Sequence, residues 1–91
     1  PDIAVDGQGN GYVAWSRNTT VGRIIEFAFR PHGGSWGAAE TVSGSGAGVF
    51  YDEPAIAADS AGNAALAWHY RYMDRTTVIT AYRRAGGGGP V

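Results

Sequence analysis

Residues 1–15, PDIAVDGQGNGYVAW, recur at 54–68 as PAIAADSAGNAALAW, without a gap and with the same residue at eight of fifteen positions. The same offset of 53 carries on downstream, pairing Ala28 with Ala81, Phe29 with Tyr82, Arg30 with Arg83, and Gly33-Gly34 with Gly86-Gly87. Any fold for this chain must therefore accommodate one unit twice. The second copy is shorter: Pro90 and Val91 fall opposite Gly37 and Ala38, so the segment equivalent to Glu40–Ser43 is missing from it.

Each unit reads as short strands separated by glycine turns. Apolar residues alternate with period two, whereas no apolar pattern of helical period survives the glycines. In the first copy the strands expected are Asp2–Asp6, Gly11–Arg17, Arg23–Arg30 and about Glu40–Ser43. The DGQGN turn lies between the first two, with Asp6 placed to cap it and Gly7 or Gly9 free to take positive φ. In the second copy the equivalents are Ala55–Asp59, Ala64–Tyr72 and Thr76–Arg84. Val13 and Trp15 share one face of their strand, and Tyr12 and Ala14 the other.

A period of about 40–50 residues made of strands is the sequence signature of propeller blades. The expected fold class is thus all-β, with four-stranded antiparallel meanders as blades: residues 1–53 form the first blade and its connection, residues 54–91 a second lacking its outer strand. Both faces of a blade are covered by neighbours, which accounts for the small residues Ala4, Ala14, Ala57 and Ala67. Trp15 and Trp68, at equivalent positions, are expected to be equivalently buried. Rings of this kind need about 4–8 blades. The expected partners are therefore further copies of the chain or the remainder of a longer propeller chain. The strand at Thr76–Arg84, left as an edge, is expected to take a strand from elsewhere.

With 91 residues, the chain is one small domain at most, and without cysteine it can use neither disulfides nor thiolate metal sites to support a thin core. Its formal net charge of −1 gives no basic face for nucleic acid or an anionic membrane surface, and no apolar run is long enough for a membrane helix. All seven basic residues are arginine, a bias that a GC-rich bacterial genome produces without selection for chemistry.

The motif PxIAxDxxGNxxxAW, followed by a strand ending in arginine, a Gly-Gly turn and W-x-x-x-E-T-V-S, resembles the repeats of large secreted bacterial β-propeller proteins of the sialidase-like or TolB-like kind. The resemblance spans nearly the whole chain and rests on turn glycines and blade-core residues. It implies the fold and an extracellular location more than any activity. The sialidase Asp-box, S-x-D-x-G-x-x-W, is absent, because Asp6 and Asp59 each precede a Gly-Asn turn instead.

No cofactor or metal site is expected. The loop from Asp6 to Gly11 begins like a calcium loop, but Gln8 is not a carboxylate and Arg17 stands where the bidentate Glu belongs. His32 and His69 have no ligand at metal spacing, and no nucleophile elbow occurs. In an antiparallel meander the short glycine turns gather at one end. The segments Arg17–Gly22, Gly44–Glu53 and Tyr70–Arg75 gather at the other, where they are expected to form longer loops. Arg17, Tyr51, Asp52, Glu53, Tyr70, Arg71, Tyr72 and Arg75 are the candidate ligand-binding residues there: flat rings to stack on, and charged groups to orient hydroxyls. They suit a lectin-like, non-catalytic module binding carbohydrate or a protein partner. A segment of an extracellular glycoside hydrolase using Asp52 or Glu53, or a scaffold within a larger surface protein, are the alternatives.

Overall fold

The computed structural model describes residues 1–44 and 46–84. Seven strands and no helix are found among them: β1 (Asp2–Val5), β2 (Gly11–Asn18), β3 (Arg23–Arg30), β4 (Glu40–Thr41), β5 (Val49–Ala58), β6 (Ala64–Tyr72) and β7 (Arg75–Arg83). They join in one ladder, β1-β2-β3-β5-β6-β7, with β4 on the far side of β3. All pairings are antiparallel except a single parallel contact, Arg23 opposite Phe50, which links β3 to β5. The ladder is open, with β1 and β7 at its two ends. It comprises two meanders, β1-β2-β3-β4 and β5-β6-β7, hinged at that one parallel pair. The segment that would carry an outer strand of the second meander lies outside the described residues.

The sequence repeat is reproduced pair for pair. Gly11 faces Arg30 in the first meander and Ala64 faces Arg83 in the second; Asp2 faces Ala14, and Ala55 faces Ala67. Every one of these partners is displaced by the same 53 positions, so the duplicated sequence specifies a duplicated register.

The turns are duplicated just as closely. Asp6 accepts hydrogen bonds on Oδ1 from the amides of Gln8 and Asn10, at 2.8 and 3.0 Å, and on Oδ2 from the Asn10 side-chain amide at 2.9 Å. Asp59 accepts the same three from Ala61 and Asn63, each at 2.9 Å. The third residue after each aspartate, Gly9 or Gly62, has φ near +90°, a conformation costly for any residue with a Cβ. The D-x-x-G-N motif is thus a turn cap, and every residue in it has a local structural role.

The meanders stack face to face. Tyr12, Ala14, Ile25 and Phe27 of the first and Ala64, Leu66, Trp68 and Ala81 of the second form one buried cluster. Polar bridges cross the same junction: the Ile56 amide donates to Asp2 Oδ2 at 2.9 Å, and the Arg83 guanidinium lies 3.9 Å from the centre of the Phe29 ring.

Two expectations are corrected here. Trp68 is 3 % exposed, but Trp15 is only half-buried, because alternate sides of β2 and β6 enter the junction. The supposed long loops are also shorter than expected. Gly44–Glu53 becomes strand from Val49 onward, so the division at Glu53 lies inside β5. Tyr70–Arg75 consists of the end of β6, a tight Met73-Asp74 turn and the first residue of β7. The physical reason is cross-strand pairing: Val49, Phe50 and Tyr51 lie opposite Tyr72, Arg71 and Tyr70, and aromatic and β-branched residues in such pairs extend a ladder. Pro54, which has no amide to donate, is absorbed by a bulge between Asp52 and Ala55 in which Glu53 takes φ 55°.

Candidate functional site

The end of the ladder where β3, β5 and β6 meet, opposite the glycine turns, gathers an ionic and aromatic group. Asp52 Oδ2 accepts from Arg23 Nη1 at 3.1 Å and from Arg71 Nη2 at 3.4 Å. Both guanidiniums also approach the ring of Phe50, 5.6 Å away for Arg23 and 4.9 Å for Arg71. The arrangement follows from register. Phe50 is paired with Arg71 in β5–β6 and with Arg23 across the β3–β5 junction, so one ring is set between two arginines.

Asp52 is largely covered, and its second oxygen, Oδ1, is buried with no hydrogen-bond partner. An unpaired buried acceptor is costly, which makes this atom the unfinished part of the group. Beside it, His69 is paired with Asp52 along the ladder, and its Nδ1 lies 3.5 Å from Glu53 Oε2 at the surface. Tyr51 and Tyr70 meet edge to face, with centroids 5.3 Å apart. Burial, with Tyr70 alongside, pushes the Tyr51 phenol up, so it is a neutral hydroxyl at physiological pH.

Of the residues expected to bind a ligand, the structure joins Asp52 to Arg71 on one face of the β5–β6 ladder and Tyr51 to Tyr70 on the opposite, core-facing side, while Glu53 meets His69 at the surface. Tyr72 and Arg75 are cross-strand partners beside the Met73-Asp74 turn, and both are exposed. Arg17 is placed elsewhere: its Nε donates at 3.0 Å to Glu26 Oε1, which also accepts from the Trp15 indole at 3.1 Å, on the outward face of the first meander. Arg23 and Phe50 are the site members that sequence reasoning left out of the binding set. Phe50 was legible as an aromatic in the crossing segment. Arg23 was read only as the first residue of a strand, since the parallel contact that carries it to Asp52 leaves no trace in local sequence.

Chemically, the group offers guanidinium donors, the exposed Glu53 carboxylate and the aromatic surface of Phe50. The two arginines are balanced by Asp52 and Glu53, so the site carries no large excess of either sign. No protein-family model, curated protein or solved structure matches the chain.

Proposed function

We propose that this chain supplies two consecutive blades of a β-propeller and acts as a non-catalytic binding module, with a neutral, hydroxyl-rich carbohydrate as its ligand, at the Arg23–Phe50–Asp52–Arg71 group. The observation that carries the reading is the Asp52 carboxylate, held through Oδ2 by two arginines that also flank the Phe50 ring. Sugar hydroxyls need donor and acceptor groups fixed side by side; the arginines supply the first and the exposed Glu53 carboxylate the second. Phe50, set between the two arginines, provides the apolar surface against which a pyranose ring rests. The near balance of charge favours neutral sugars over strongly ionic ligands. The blade assignment is supported by the repeated register and by the way one face of the first meander meets the opposite face of the second.

A glycan array probed with the 91-residue chain, followed by calorimetric titration of the best neutral oligosaccharide, tests this reading. The expected result is saturable binding without cleavage of the sugar, weakened at least about tenfold by Asp52→Asn. Absence of binding to any neutral glycan overturns the ligand assignment, and cleavage of a bound glycan overturns the non-catalytic one.

A further inference from the structure

The repeat makes the buried junction between the meanders comparable, residue by residue, with the two faces left outside. Several residues 53 positions apart have opposite fates. Tyr12 and Ile25 are fully buried, while their equivalents Ala65 and Val78 are exposed; Leu66 and Trp68 are buried, while Val13 and Trp15 are half-covered. The first meander thus uses one face in the junction and the second meander uses the other. Each outer face is consequently the repeat counterpart of one side of an interface that already exists in the molecule, close in composition on the first meander and built of smaller residues on the second, where Ala65 and Thr80 stand for Tyr12 and Phe27.

We infer that these two outer faces are mates: the outer face of the first meander receives the outer face of the second meander of another copy of this chain, head to tail. Ile3, Val5, Val13 and Trp15 correspond to Ile56, Ala58, Leu66 and Trp68, which fill one side of the junction. Ala65, Ala67, Val78 and Thr80 correspond to Tyr12, Ala14, Ile25 and Phe27, which fill the other. The match is between unlike surfaces. The relation is therefore heterologous, and its repetition leads to a ring or to an open array.

The first face is strongly apolar, and the second combines small alanines with Val78, Thr80 and Tyr82. Ile3 and Val5 are 61 % and 65 % exposed and Val78 is 61 % exposed, an outlay of aliphatic surface unusual for strands with no partner. Ile3, Val13, Trp15, Ala28 and Trp36 line an open groove of about 400 Å³ on the first face. The second face has a smaller open groove, of about 280 Å³, between Ala55, Ala57, Ala65 and Ala67. Inside the molecule Arg83 stacks on Phe29, and the equivalents of those two residues are Arg30 and Tyr82. The inferred contact therefore sets Arg30 of one copy over Tyr82 of the next, preserving a cation and a ring.

Other bridges are not preserved. The equivalents of Asp2 and Ile56 are Ala55 and Ile3, and that of Tyr12 is Ala65, so neither the Ile56–Asp2 nor the Tyr12–Gly62 hydrogen bond has an intermolecular copy. Arg17 and Glu26 make one margin of the first face polar where the second meander has Ile79 opposite Trp68, and Trp36 adds bulk at the other. The contact between copies is accordingly weaker than the internal one and dependent on concentration.

The inference extends the propeller reading but not the ligand assignment, and its test contains no sugar, so failure of one is distinguishable from failure of the other. Sedimentation velocity across the micromolar range is expected to show reversible growth in mass for the wild-type chain. Ile3→Asp spoils only the first face and Tyr82→Asp only the second. Each alone is expected to stay monomeric, whereas an equimolar mixture forms a dimer and nothing larger. Val5→Asp and Val78→Asp form a second such pair should either first variant lose its β-sheet circular dichroism. A wild-type chain that stays monomeric overturns the inference. So does a single-face variant that still dimerises, which indicates like faces pairing with like.

Discussion

The Tyr12 hydroxyl lies 2.6 Å from Asp6 Oδ2 and 3.1 Å from the carbonyl oxygen of Gly62, so one buried phenol joins the turn of the first meander to the equivalent turn of the second. The position opposite Tyr12 in the repeat is Ala65, and Asp59 therefore has no matching phenol. Two otherwise identical turns are thus locked asymmetrically, at the place where the meanders stack.

Removing only that hydroxyl, by Tyr12→Phe, keeps the ring against Phe27 and Phe29 but strips the Asp6 carboxylate of its shortest hydrogen bond. The expected outcome is a lower urea midpoint with an unchanged slope, because the loss is local and the surface exposed on unfolding stays the same. An unchanged midpoint would show that the phenol contributes packing alone.

The same lock sets an acid limit. Burial by itself works to raise the Asp6 pKa, but hydrogen bonds from Tyr12, Asn10 and Gln8 outweigh it and lower it from 3.8 to about 2. Asp59 is lowered in the same direction, by the Asn63 side chain first. A carboxylate whose pKa is depressed by folding stabilises the native state above its unfolded pKa, and that contribution is lost as pH falls through the folded value. Stability should therefore decline from about pH 4 towards pH 2. In Tyr12→Phe, with the Asp6 pKa nearer its ordinary value, less acid-dependent stability remains to lose, so the wild-type and variant curves should converge at low pH. At the alkaline end, burial and the Asp6 carboxylate push Tyr12 up to about 12, so its contribution is lost between pH 10 and pH 12. Curves of thermal midpoint against pH for the two proteins check both limbs.

Equivalence in sequence is not equivalence in environment for the two tryptophans. Trp68→Ala should cost about 3–5 kcal/mol, since it empties a site in the core cluster. Trp15→Ala removes a half-covered ring on the outer face and should cost clearly less. Trp68→Phe should be milder than Trp68→Ala, because the Trp68 indole nitrogen is buried without a partner; the glutamate that serves Trp15 is replaced by Ile79 in the second copy. Chemical denaturation of the three variants gives the ranking, and equal costs for Trp15→Ala and Trp68→Ala would contradict it.

Why some of this was legible and some was not follows from the range of each interaction. β2, β3 and β6 and both aspartate turns rest on contacts between residues close in sequence, and the alternation of Tyr12, Val13, Ala14 and Trp15 announces two faces. Which face is buried depends on the partner meander, and a repeat by itself predicts the same fate for both copies. The first half of β5 was read as loop because Tyr51, Asp52 and Glu53 are polar and Pro54 follows; pairing with Tyr70 and His69 overrode that composition.

Gly22, just before β3, lies against the backbone of Val49 at the start of β5. A Cβ there would overlap the carbonyl oxygen of Val49, a backbone atom that cannot swing aside. Gly22→Ala should thus force β3 and β5 apart, at a cost of about 1–3 kcal/mol. Loosening at this point should also weaken the Arg23–Asp52 contact, one pairing away. Amide exchange measured residue by residue should show faster opening at Phe50 and Tyr51 in the variant, with Ala64 to Trp68 unchanged. Uniform acceleration throughout would indicate global destabilisation instead.

Arg17 and Arg23 separate the sequence-level view of the site from the structural one. Arg17 is more than half exposed and its ion pair with Glu26 lies at the surface, where such pairs contribute about 0–1 kcal/mol. Arg23 is more covered, touches Asp52 and flanks Phe50, and it comes from the meander opposite to the one that supplies Asp52. Arg23→Ala should therefore weaken glycan binding and lower the thermal midpoint together, because it leaves Asp52 with Arg71 alone and loosens the join between β3 and β5. Arg17→Ala should leave glycan affinity unchanged. Calorimetric titration of both variants with the same oligosaccharide decides the matter: if Arg17→Ala abolishes binding and Arg23→Ala does not, the ligand sits on the outward face of the first meander and not at Asp52.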